Sequence, residues 1–307
     1  MCCLFGIYNY KQTLTPYQMN HILTLLSEEC EVRGTDATGI AYSDTQKLHI
    51  FKRALPAHQM GFRLPTNIYY VMGHTRLATK GSAKRNRNNH PFRGIAGQER
   101  FALAHNGILY NDDILRKIYH LPATPIQTDS YAAVQLLEQY GTLSFDSLAY
   151  MAEKLEGSFT ITVLDKQNTL YIVRGNNPIC LYHYPDLGLY LYASTETILT
   201  RATQRFLFPL GNHEKCPIEM GEIRKIQPDG QQEYHVFSTD MFSPSLHWID
   251  WEDPCKPQSS DPYLETLRAM AGLYGYSAED IDIMLDEGML PEEIEAYFYP
   301  LDMDRYF

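Results

Sequence analysis

Four polar clusters and one cysteine carry the residue types that chemistry needs. Cys2 follows the start methionine, and Arg33-Gly34-Thr35-Asp36, His74-Thr75-Arg76, His105-Asn106-Gly107 and Thr128-Asp129-Ser130 interrupt the ends of apolar runs. Taken singly each is ordinary: an Arg-Gly pair is usually a surface turn, a lone His at a strand end is usually structural, and Asn-Gly is usually a bend. Together they are complementary. A thiol nucleophile needs a base, and a cysteine at position 2 gains one when Met1 is removed. Its own α-amino group titrates at about 7.7–8.0, close to working pH. Acyl chemistry then needs donors for the developing oxyanion, which an Asn side chain and the next Gly N–H supply. An amino-acid substrate further needs a cation for its carboxylate and an anion for its ammonium, and Arg76 and Asp129 are those types. A metal site is not implied, because His74, His90 and His105 have no ligand spacing and no C-x-x-C pair exists.

The elements that must hold these groups are legible from periodicity. Residues 4–10 read as a strand, and Thr15-Pro16 supplies an N-cap and first-turn proline for an amphipathic helix over about 16–31. Strand-like runs follow in GIAYS, LHIFKRA, NIYYVMGHTRLAT and RFALAHNGILYN. Between the last two, TKGSAKRNRNNHPFRG is polar and irregular and reads as a long loop. Two helices, DSYAAVQLLEQYG and SFDSLAYMAEKLEG, precede the strands SFTITVLD, TLYIVRG, ICLYHY and LGLYLYAST. A short helix near 195–204 and the hairpin GEIRKIQPDGQQEYHVF complete the body. Strands, then helices, then strands predict an α+β layered fold rather than a doubly wound one.

Charge divides the chain. Its net charge is −11, yet residues 250–307 hold 15 acidic and 3 basic side chains, leaving 22 and 23 in residues 1–249. An acidic tail disfavours nucleic-acid binding by repulsion. Residues 240–262, rich in Pro, Ser and Asp, read as a linker, giving a body over 1–240, a linker over 241–262 and an acidic helical tail over 263–307. In the tail, Ser277 and Asp280 have capping-box spacing, Gly288 suits a helix end and Pro291 a helix start. The six cysteines form neither a zinc pattern nor a disulfide framework, and neither a signal peptide nor a long apolar span is evident. These features predict a reduced, cytoplasmic setting with no membrane association. The basic residues Lys80, Lys84, Arg85, Arg87 and Arg93 read as a solvated loop, with docking of a phosphate-bearing acceptor or of the tail as the rival reading.

The ordered set M-C…G, RGTDATGI, GHTRLATKG, HPF, HNG, TDS, EGSFTITVLD and YASTE resembles the class II glutamine amidotransferases. These are N-terminal-nucleophile (Ntn) hydrolases, and the resemblance includes the glutaminase domain of glucosamine-6-phosphate synthase. It runs from Cys2 to about residue 235. It implies a four-layer αββα sandwich of two antiparallel sheets. It also implies roles: Cys2 as nucleophile, Asn106 and Gly107 as the oxyanion hole, Arg76 on the glutamine α-carboxylate, and Asp129 on its α-amino group. Thr79 falls in the substrate-lining segment, and Arg33 matches an arginine that buttresses the nucleophile's backbone. Three positions depart from the family pattern: Cys3 replaces a glycine, Leu77 a tryptophan involved in ammonia transfer, and Ala37 a serine. The implied reaction is hydrolysis of L-glutamine to glutamate and ammonia, with no cofactor. Nothing after residue 240 resembles a synthase domain, so a separate ammonia-acceptor enzyme is the expected partner. The rival readings are a non-catalytic glutamine-binding scaffold and a hydrolase of another small amide.

Overall fold

A computed structural model describes residues 2–44, 46–240, 262–271, 276–286, 289–291 and 294–295. The chain divides into two compact units, residues 1–241 and 242–307.

In the larger unit, strand β1 (Cys3–Asn9) leads into helix α1 (Pro16–Glu29) and a 3-10 turn over Cys30–Arg33. Thr15 caps α1 in a full capping box with Gln18, with Pro16 in the first turn, as its sequence predicts. Such a box contributes about 1 kcal/mol. Strands β2 (Ala37–Ser43), β3 (Leu48–Arg53) and β4 (Tyr70–Arg76) follow, then β5 (Phe92–Ala96) and β6 (Glu99–Leu109). Helices α2 (Asp112–Ile118), α3 (Tyr131–Tyr140) and α4 (Phe145–Ala152) separate these from β7 (Gly157–Asp165), β8 (Leu170–Arg174), β9 (Cys180–Tyr184) and β10 (Leu189–Ala193). Helix α5 (Glu196–Gln204), β11 (Glu214–Lys215) and the hairpin β12 (Glu222–Ile226) to β13 (Gln232–Val236) complete the unit.

The strands form two antiparallel sheets, one of seven in the order β11-β9-β10-β1-β4-β2-β3 and one of six in the order β13-β12-β8-β7-β6-β5. Alternation along β1 sends Cys3, Phe5 and Ile7 into a core with α1 and α5, and Leu4 and Tyr8 into a core between the sheets. That inter-sheet core joins Leu4, Met72 and Tyr192 of one sheet to Ala102, Ala104, Leu164 and Ile172 of the other. Helices α3 and α4 pack on β5 and β12. The layers are therefore α, β, β, α, the expected Ntn-type sandwich. Leu4, Phe5 and Ile7 are fully buried, which for side chains of this size stabilises by about 2–3 kcal/mol each.

Two features depart from the sequence reading. The long loop is not uniformly irregular: it contains a 3-10 turn at Asn86–Asn88, and β5 begins inside it at Phe92. Helix α2 was not expected at all.

In the smaller unit, α6 (Pro262–Ala271) and α7 (Ala278–Asp286) contact each other. The predicted box at the start of α7 is present, with Asp280 N donating to Ser277 Oγ at 3.1 Å and Ser277 N to Asp280 Oδ2 at 2.7 Å. Tyr263 Oη donates to Glu295 Oε2 at 2.6 Å. Pro291 is helical as expected, whereas residues 241–261 of the linker and Gly288 lie outside the described residues, and Pro262, expected to end the linker, begins α6. No helix among the described residues is long and apolar enough to cross a membrane.

Candidate active site

Cys2 lies immediately before β1 and is almost fully buried. Its Sγ–H points to the carbonyl of Leu77 at 3.6 Å. Burial pushes the thiol pKa up, partly offset by a backbone hydrogen bond at Leu77 and by the positive charge of Arg76. Asp129 is close enough to raise it further. The resting thiol is therefore protonated, and any attack by it requires a base.

The nucleophile's main chain is held from two sides. Arg33, at the end of the 3-10 turn and buried, donates its Nε–H to the Cys2 carbonyl at 2.9 Å. Two residues on, Leu4 N donates to Ser194 Oγ at 2.8 Å while Ser194 N donates to Leu4 O at 2.9 Å. Cys3 turns away from the site into the α1 core, where its Sγ lies 3.0 Å from Cys30 Sγ. The two adjacent cysteines thus occupy opposite environments.

Arg76 ends β4 beside this strand, with Cys3 opposite Thr75 in the ladder. Its guanidinium donates to Asn89 Oδ1 at 2.8 Å and to the carbonyls of Lys80 and Gly81 at 2.7 and 2.8 Å. Those bonds account for three of five N–H groups, which leaves donors for a carboxylate. Desolvation lowers the Arg76 pKa, opposed by the carboxylates of Asp129 and Asp36. Asp36 fixes the following turn, accepting Ala78 N at 2.8 Å. Gly34 makes the close approach to Arg76 sterically available, since a Cβ there would lie 2.4 Å from the Arg76 carbonyl carbon. Thr79 sits in that turn and is exposed.

From the other sheet, β6 contributes Asn106 and Gly107. Asn106 is fully buried. Its Nδ2 donates to Ser194 Oγ at 3.3 Å, its carbonyl accepts Asn177 Nδ2 at 2.9 Å, and its Oδ1 has no partner. Gly107 adopts φ +141°, and a Cβ there would fall 1.9 Å from Ser158 O. Asp129, just before α3, is buried and accepts Leu109 N at 2.7 Å and Ser130 Oγ at 3.4 Å. Lone pairs remain on it for an ammonium group.

Three buried imidazoles pack below the site. His74 and His90 have ring centroids 4.2 Å apart, and His90 and His105 6.4 Å. His74 Nε2 meets His105 O at 3.0 Å and His105 Nδ1 meets Ser130 Oγ at 2.8 Å, whereas neither His90 ring nitrogen has a partner. Burial lowers all three pKa values, His74 to about 3. Among the described residues no group of His, Cys, Asp and Glu is arranged to hold a metal ion. A separate cleft of about 450 Å³, lined by Tyr184, Phe206, Leu207, Phe208 and His213 among others, contains none of the candidate residues.

Cys2, Arg33, Arg76 and Asp129 are thus brought into one neighbourhood, with Asn106 tied to the nucleophile strand through Ser194. Thr79 flanks this group without a buried contact. Sequence reasoning named Asp36 in a cluster without giving it a role, and missed Asn89, Asn177 and Ser194. All but Asn177 fall in or beside motifs that were singled out, namely RGTDATGI, HPF and YASTE.

Residues 74–201 match the family model described as a glutamine amidotransferase domain. The chain is 29% identical over 215 residues to the glutamine–fructose-6-phosphate aminotransferase (isomerizing) of Geobacillus kaustophilus, covering 67% of this chain and 34% of that relative. It is 28% identical over 253 residues to the amidophosphoribosyltransferase of Methanocaldococcus jannaschii, covering 78% and 52%. The chain thus spans between a third and about half the length of these relatives. In fold it is similar to the glutamine phosphoribosylpyrophosphate amidotransferase of B. subtilis, with a TM-score of 0.61 at 21% identity over 77% of this chain and 49% of that one.

Proposed function

We propose that this chain, a class II glutamine amidotransferase of the Ntn type, hydrolyses L-glutamine to glutamate and ammonia through a thioester on Cys2. The observation that carries the reading is that a cation, Arg76, and an anion, Asp129, both act on the buried Cys2 thiol, the two opposite charges that the ends of an α-amino acid require.

With Met1 removed, the Cys2 amine takes the thiol proton and the thiolate attacks the side-chain amide carbon. Asn106 Nδ2–H and the Gly107 N–H stabilise the oxyanion. The amine returns its proton to the leaving nitrogen, ammonia departs, and water cleaves the γ-glutamyl thioester to regenerate the thiol. Arg76 binds the α-carboxylate, Asp129 the α-ammonium, Thr79 borders the bound substrate and Arg33 holds the nucleophile's carbonyl. No cofactor enters these steps. Ammonia passes to a separate acceptor enzyme. Residues 1–240 form the glutaminase domain, 241–262 a linker and 263–307 a tail that meets the acceptor.

Ammonia release from glutamine by the purified protein, beside Cys2→Ala, tests the chemistry. Equal rates from the two would remove Cys2 from the mechanism. Intact mass tests the base: active protein that retains Met1 has no amine at Cys2, and the proton transfer described here fails. Truncation at about residue 240 tests the tail, which has no docking role if recovery of the acceptor is unchanged.

A further inference from the structure

We infer that Ser194 is a positioning residue of the oxyanion hole, orienting the Asn106 amide and registering it against the nucleophile's strand. The inference rests on the glutaminase reading and adds a residue to it.

Ser194 stands between β10 and α5, just before Thr195, whose hydroxyl caps α5 by accepting Ile198 N at 3.4 Å. It is fully buried. Its oxygen receives two hydrogen bonds, from Leu4 N at 2.8 Å and from Asn106 Nδ2 at 3.3 Å. Those donors belong to different sheets, β1 in the seven-stranded and β6 in the six-stranded. One hydroxyl therefore ties the segment two residues beyond the nucleophile to the proposed oxyanion donor.

The direction of the amide follows from the count of partners. A carboxamide can turn over, exchanging its oxygen and nitrogen. Asn106 Oδ1 has no partner to hold it. The Leu4 N–H occupies one Ser194 lone pair. The remaining lone pair suits only a donor, which selects Nδ2. One Nδ2 hydrogen is then committed to Ser194 and the other is left for the oxyanion. Without the serine oxygen, nothing among the described contacts of this side chain distinguishes the two orientations, and half the population would aim an oxygen at a developing negative charge.

The test is a double-mutant cycle on glutamine hydrolysis by the full chain, with Ser194→Ala, Asn106→Ala and the pair. Asn106→Ala should lower kcat about 100-fold, as loss of one oxyanion donor does. Ser194→Ala should lower kcat about tenfold with KM within about twofold, because it loosens a donor without touching the substrate. On the Asn106→Ala background the serine change should cost under about twofold. A full tenfold loss there, or a loss expressed in KM, overturns the inference and leaves the glutaminase reading intact. A wild type that releases no ammonia from glutamine overturns both. If Ser194→Ala does not fold, the same cycle with Ser194→Cys applies, since a thiol of similar size is a poor acceptor.

Discussion

Arg33 and Cys2 are joined by a buried hydrogen bond, from Nε–H to the main-chain carbonyl at 2.9 Å. That bond is planar and directional, and lysine has no group with the same geometry. Arg33→Lys should destabilise the protein by about 2–3 kcal/mol, because a buried carbonyl loses a charged donor. Turnover should fall as well, since the same carbonyl belongs to the nucleophile. Urea unfolding midpoints and glutamine hydrolysis measure the two effects. An unchanged midpoint would mean that the bond holds nothing.

Asp129 offers its remaining lone pairs to a positive charge. Asp129→Asn keeps the size and an acceptor for Leu109 N but removes the charge. It should raise the glutamine KM about 10- to 100-fold, the range for a charged hydrogen bond of 1.5–3 kcal/mol. Glutaramate, a γ-amide without the α-amino group, supplies the control. Wild type and variant should handle it alike. A KM change of equal size for both substrates would place the defect in the fold rather than in ammonium binding.

At Gly107 the obstacle is steric, with the Cβ of any other residue meeting Ser158 O at 1.9 Å and φ at +141°. Gly107→Ala should cost more than about 3 kcal/mol, combining a backbone clash with a disallowed conformation. Soluble yield and thermal midpoint report on it, and a midpoint within a degree of wild type would refute the geometry at this strand.

The three buried histidines set a pH dependence. Each has its pKa lowered by burial, His74 to about 3, so each is neutral in the folded protein. An unfolded imidazole titrates near about 6.5, so below that pH the unfolded chain binds protons that the folded one refuses. Stability is therefore fully present above about pH 6.5 and declines as pH falls toward the lowered folded values. His90→Phe should make the decline shallower, because it removes one refused proton from a ring with no nitrogen partner. Thermal midpoints from pH 7 to pH 4 measure the slope, and identical slopes would show that His90 does not contribute.

Much of the framework was legible because it depends on local pattern. Aromatic and branched residues marked β1, and Thr15 and Pro16 announced α1. Helix α2 was hidden because it is only seven residues long, so Ile114, Leu115 and Ile118 are too few for a helical period to stand out. Strand β5 was hidden in a polar segment, since its buried positions Phe92, Gly94 and Ala96 include a glycine and alternate with Arg93 and Ile95. The candidate nucleophile, cation and anion could be chosen by chemical type. Ser194 could not, because its meaning lies in contacts to Leu4 and Asn106, 190 and 88 positions away. Cys3 was conspicuous only as an oddity, and its thiol proves to fill the core against Cys30.

The nucleophile leads into β1 of one sheet, while the proposed oxyanion donor rides on β6 of the other. The reacting groups are therefore carried on two leaves, like the points of a caliper whose opening is set by the apolar filling between them. Leu4 and Tyr192 on one side and Ala104 and Leu164 on the other are that filling. Turnover in this molecule should consequently register the thickness of its interior, and a methyl group added or removed between the leaves becomes a change in the chemistry at their edge.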